Sequence, residues 1–105
     1  MYIVMYSFKV KPEQEGTFLE SWRALTKLIY KYEGSLGSRL HKKESLHYIA
    51  YAQWPDKLSF DNSGSELPLE ANKYRDLMRS SCEDTKVIHK FEVVEDLLMQ
   101  KQHDL

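Results

Sequence analysis

Residues 48–57, YIAYAQWPDK, decide how the rest of the chain is arranged. Side chains alternate across a strand, so Tyr48, Ala50, Ala52 and Trp54 fall on one face. Ile49, Tyr51 and Gln53 fall on the other, and Pro55 stops the run. Both faces carry apolar or aromatic bulk, which predicts a central strand covered on both sides.

Upstream, residues 35–43 set Leu36, Ser38, Leu40 and Lys42 against Gly37, Arg39, His41 and Lys43, a more polar strand. Glu44, Ser45 and Leu46 join it to the central strand so tightly that an antiparallel hairpin is expected. Residues 2–10 alternate Tyr2, Val4, Tyr6, Phe8 and Val10 with Ile3, Met5, Ser7 and Lys9, a period-two run rich in β-formers. Between these strands, Pro12 suits a first helical position, and Glu13 and Glu15 suit the positive end of a helix dipole. Phe18, Trp22, Leu25 and Ile29 then recur at helical spacing to about Tyr32, with Gly34 as a left-handed cap.

Downstream, Asp56 caps a short helical turn through Phe60, and the polar run 61–65 reads as a loop. Ser65 is positioned to cap a second long helix that places Pro68 in its first turn and ends near Cys82. Leu67, Ala71, Tyr74 and Met78 form its stripe. A last strand spans about 85–94, with Val87, His89, Phe91 and Val93 on one side. Residues 1–94 thus form one domain, and 95–105 an extension that reaches a partner or a frayed tail.

The order β-α-β-β-α-β is ferredoxin-like, an α+β fold with two helices on one face of a four-stranded antiparallel sheet. Its other face has no cover. Since the strands are apolar on both sides, that face predicts a symmetric homodimer. A chain of 105 residues buries only about 60–70 per cent of its unfolded surface, so a second subunit also helps stability.

Fifteen Lys and Arg against sixteen Asp and Glu give a formal charge of −1, which offers no footprint for nucleic acid or an anionic membrane. The single Cys82 excludes an intrachain disulfide and fits a reducing cytoplasm. No run of residues is long and apolar enough to span a bilayer. The sequence also lacks a phosphate loop, a dinucleotide-binding glycine pattern and a serine elbow. His41 and His89 sit within strands without a carboxylate at metal-ligand spacing, so no metal is expected.

The runs YIVMYSFKVKPEQEGTFLESW, GSLGSRLHK and YIAYAQWPDKLSF resemble the antibiotic-biosynthesis monooxygenase family of dimeric α+β barrels. The resemblance implies a homodimer and a cofactor-independent monooxygenase acting on a small aromatic or quinone-like molecule. The alternative is a non-catalytic module of the same fold that binds a small ligand or a partner. The family's heme-degrading branch uses Asn, Trp and His where this chain has Ser7, a position near Ser63, and Asn72 or Tyr74, so the resemblance points away from heme. In the phenol-oxidising branch a Trp resembling Trp54 lines the pocket, whereas Ala50 and Phe60 stand where an amide and a hydroxyl are expected.

On this reading Tyr6, Trp22, Tyr51, Trp54 and Tyr74 hold the ring. His41 or His89, imidazole being suited to general-base work near neutral pH, draws a proton from a phenol, and Arg39, on the same strand face as His41, offsets the charge.

Overall fold

The computed structural model describes residues 1–99. Strand β1 (Tyr2–Val10) leads to helix α1 (Glu15–Tyr32), the hairpin β2 (Gly37–Glu44) and β3 (His47–Trp54), the short helix α2 (Lys57–Asp61), helix α3 (Glu70–Ser80) and strand β4 (Cys82–Glu92). The sheet is antiparallel in the order β2-β3-β1-β4, the ferredoxin-like arrangement, with the long helices on one face. The hairpin closes through Ser45 and Leu46, and Leu46 takes a φ of 61°, a left-handed turn conformation. Among the described residues, no helix is long and apolar enough to cross a membrane.

Register assigns every strand residue to a face. Tyr2, Val4, Tyr6 and Phe8 pair with Trp54, Ala52, Ala50 and Tyr48, and this set faces the helices. Phe18, fully buried on α1, sits between Phe8 and Tyr48 with ring centroids 5.0 and 5.2 Å away. A second cluster gathers Tyr2, Val4, Ala52 and Trp54, with Phe60 of α2 edge-on to Trp54 at 5.6 Å. α2 therefore plugs the end of the sheet where β3 finishes. Its start is capped as expected, with the Ser59 N–H donating to Asp56 Oδ1 at 2.8 Å, and that bond lowers the pKa of the Asp56 carboxyl.

Several boundaries differ from the sequence-based expectations. β3 is central but covered on one side only: Tyr48, Ala50, Ala52 and Trp54 are buried, while Ile49, Tyr51 and Gln53 are half-buried on the open face. Period-two patterning shows that a face is apolar without showing what covers it. α1 begins at Glu15 rather than Pro12, because Glu13 takes a φ of 70° that no helix continues through. α3 begins at Glu70 rather than after Ser65. Leu67 precedes Pro68, which disfavours helical backbone there, and the Pro68 carbonyl accepts the Ala71 N–H in a tight entry turn. β2 runs from Gly37 to Glu44, and Gly37 has a φ of 103°.

Cys82 is the first residue of β4, not a helix end, and pairs with Val10. Its thiol pKa is raised by burial. Glu92 ends β4, while Val93, Val94 and the tail expected at 95–105 follow it; of that tail, Glu95 to Met99 are described and residues 100–105 lie outside the described residues.

The Tyr48 hydroxyl donates a short hydrogen bond to Glu15, at the start of α1, and Lys42 Nζ lies 3.8 Å from the same carboxylate oxygen. That acceptor, together with burial, pushes the Tyr48 pKa up to about 12. Below pH 10 the phenol is protonated in both folded and unfolded chains and the bond contributes fully; the contribution is lost as pH rises through about 12. Tyrosinate absorbance should therefore show one phenol ionising near 12, and Glu15→Ala should bring it down toward 10. Replacing Phe18 with Ala should cost about 3–5 kcal/mol in urea unfolding, against less than about 1 kcal/mol for the exposed Leu77→Ala.

Candidate functional site

Between the sheet and the two long helices lies a cavity of about 200 Å³. Its floor is Ala50 and Ala52, whose single methyl groups leave room beneath the helices. Its walls include Tyr6, Trp22, Ile29 and Trp54. These positions follow from the alternation of β1 and β3 and from the α1 stripe, which turns Trp22 and Ile29 toward the sheet.

The cavity is mainly apolar, with a few polar groups around it. The Ser38 hydroxyl lines it but donates to the Tyr51 carbonyl at 3.0 Å, and Ser35 likewise donates to the Gln53 carbonyl at 3.3 Å. Burial raises the Tyr6 pKa, so the phenol at the wall stays protonated and available as a donor. Trp54 is buried, and its Nε1 has no hydrogen-bond partner among the described residues. Arg79, Tyr6 and Thr85 line both this cavity and a wider cleft along the start of β4, so the cavity opens to solvent where these three meet. Among the described residues, Arg79 is the one charged side chain in the cavity lining, and it comes from the last turn of α3.

Of the eight residues singled out from the sequence, the structure brings Tyr6, Trp22 and Trp54 together in this cavity. Tyr51, Arg39, His41 and His89 stand on the open face of the sheet. Arg39, Tyr51, Met5 and His89 form one row across the four strands, which puts Arg39 and His89 about 14 Å apart at normal strand spacing. Arg39 and Tyr51 share a small cleft of about 150 Å³. His41 Nδ1 is 3.3 Å from the Ile49 carbonyl, and the His89 ring stacks on Phe91 at 5.2 Å. Tyr74 lies on α3 outside the cavity lining, with Lys73 Nζ 5.6 Å from its ring centroid.

Arg79, Thr85 and Met78 were not singled out as site residues from the sequence. Met78 belongs to the α3 apolar stripe, which hints at it, but Arg79 is one position off that stripe and carries no pattern of its own. The open face also holds a hydrogen-bonded pair that strand alternation leaves hidden. Ser7 Oγ lies 2.9 Å from His47 Nε2 as a diagonal pair between β1 and β3, and Glu44 Oε1 lies 3.5 Å from His47 Nδ1.

A ferredoxin-like sheet with a small cavity beneath its helices is the framework of a class of small α+β proteins. The antibiotic biosynthesis monooxygenase family model matches residues 1–66, and the chain belongs to that family. Three solved structures show the same fold. SnoaB, a cofactor-independent oxygenase from Streptomyces nogalater, superposes with a TM-score of 0.74 at 13% identity, covering 91% of this chain and 95% of its own. Rv0793 from Mycobacterium tuberculosis gives 0.72 at 10% identity, with 92% and 98% covered. An antibiotic biosynthesis monooxygenase gives 0.69 at 20% identity, with 90% and 100% covered. No curated protein matches the chain by sequence.

The two indoles in the cavity wall make occupancy measurable. A ligand of the size of 1-naphthol should quench tryptophan fluorescence, and Ala52→Leu, which adds three carbons to the floor, should weaken that binding by about tenfold or more.

Proposed function

We propose that the chain is a cofactor-independent oxygenase that takes a small aromatic or quinone-like molecule into the helix-side cavity. The observation that carries this reading is the cavity itself: aromatic walls from Tyr6, Trp22 and Trp54, with Arg79 at the opening. Its volume of about 200 Å³ is below the roughly 300–1,000 Å³ of pockets for drug-sized ligands, which favours a ligand of one or two rings. Family membership and the likeness in fold to SnoaB support the reaction class.

In this reading the substrate supplies its own electrons. A phenol bound with its oxygen toward Arg79 ionises more readily, because the guanidinium stabilises the phenolate. The electron-rich ring reduces O2 and forms a carbon–oxygen bond at a ring carbon bearing hydrogen. Cleavage of the O–O bond leaves one oxygen as a carbonyl, and the other departs as water with two hydrogens from the substrate. Tyr6, held protonated by burial, donates to a substrate oxygen, and the indoles hold the ring.

The open faces of two copies pack together, which covers the side of the sheet that the helices do not reach and sets Arg39, His41 and His89 at the subunit boundary. The alternative reading, a ligand-binding module without turnover, is favoured by one feature. Among the described residues, the cavity lining has no carboxylate and no imidazole to serve as a strong general base.

Oxygen consumption with a panel of one- and two-ring hydroxylated aromatics separates the two readings. Turnover that falls about ten- to hundredfold in Arg79→Ala supports the oxygenase. Binding by fluorescence without oxygen uptake for any panel member leaves the ligand-binding module. The His41→Ala/His89→Ala double variant should keep most of the turnover, because the sheet separates both rings from the cavity.

A further inference from the structure

The open face of the sheet is interrupted at its outer strand β2. Gly37 stands opposite Gln53 and Arg39 opposite Tyr51, so the missing side chain at Gly37 leaves a notch of about 150 Å³ between them. A side-chain carbon at Gly37 would meet no atom within 4 Å, and the φ of 103° is a conformation that glycine alone adopts readily. The backbone holds the notch in shape. The Leu36 N–H donates to the Gln53 carbonyl at 2.8 Å, and the Gly37 N–H donates to the Ser35 hydroxyl at 3.0 Å.

The lining has a definite charge preference. Arg39, Gln53 and Tyr51 bring a guanidinium, an amide and a phenol to the notch. The Tyr51 and Gln53 carbonyls are already engaged by the Ser38 and Ser35 hydroxyls, at 3.0 and 3.3 Å. Among the described residues, Arg39 forms no ion pair and no carboxylate lines the notch. One positive charge flanked by neutral donors, with no negative charge opposing it, selects an anion.

Shape narrows the class. The two parallel N–H groups of a guanidinium match a planar carboxylate. The Tyr51 ring and Leu36, which is 53% exposed, add apolar surface that a bare inorganic anion would leave unused. A space of about 150 Å³ holds a molecule of one aromatic ring. Because β2 is an outer strand and Arg39 is exposed, a dissolved acid reaches the notch without passing the helices.

We propose that this notch binds a small aromatic carboxylate of the size of benzoate. The carboxylate pairs with Arg39, the Gln53 amide donates to one of its oxygens, and the ring rests against Tyr51. The site lies on the opposite side of the sheet from the helix-side cavity and does not depend on the oxygenase reading.

Benzoate titrated into the full-length, 15N-labelled protein tests this by NMR. Saturable shifts are expected at the Gly37, Arg39, Tyr51 and Gln53 amides. Benzyl alcohol, of similar size and uncharged, should bind the wild-type chain about tenfold or more weakly. Arg39→Gln should weaken benzoate by about tenfold or more, and Gln53→Leu by a smaller factor. Arg79→Ala, at the mouth of the cavity, should leave the four shifts unchanged. The proposal is overturned if no saturable shift occurs, or if the shifts are confined to cavity residues such as Tyr6 and Trp22. Equal binding of benzyl alcohol, or an unchanged affinity in a folded Arg39→Gln variant, overturns it as well.

Discussion

The structure depends on the antiparallel pairing of β1 with β3. That register places Tyr2, Val4, Tyr6 and Phe8 beside Trp54, Ala52, Ala50 and Tyr48, and so makes one continuous apolar floor for the helices. A shift of one residue would turn these side chains to the opposite face and leave Phe18 without its two aromatic neighbours. The same pairing sends Ile3, Met5, Ile49 and Tyr51 to the face that the helices never reach.

Residue size along this floor then decides where matter fills and where space remains. Toward one end, Phe8, Phe18 and Tyr48 interlock; toward the other, Tyr2, Trp54 and Phe60 close the sheet. Ala50 and Ala52 lie between them, and there the helices bridge over short side chains. The cavity is thus a consequence of two methyl groups in a row of large ones. Close packing elsewhere keeps it from collapsing.

The polar groups follow the same division. In the helix-side cavity few remain: Ser38 and Ser35 are taken up by backbone carbonyls, Tyr6 stays protonated, and among the described residues the charge in its lining comes from Arg79. On the open face the imidazoles, Arg39, and the Ser7–His47–Glu44 chain are spread over four strands. The cavity therefore presents aromatic rings and a guanidinium, whereas the open face presents a mixed apolar and charged surface.

Much of this was legible in the sequence, for a physical reason. Strand and helix periods are local properties, so the β-α-β-β-α-β order, the Asp56 cap, the hairpin at Ser45 and Leu46, and Trp22 turned toward the sheet could be read from spacing alone. Alternation also determined that Tyr51 and Trp54 lie on opposite faces of β3. Which of those faces the helices cover depends on how distant strands and helices pack, and only the tertiary structure decided it for Trp54 and against Tyr51. Long-range packing likewise brought Arg79 to the cavity and set Arg39, His41 and His89 on the far side of the sheet, because contacts between residues distant in the chain leave no period in it.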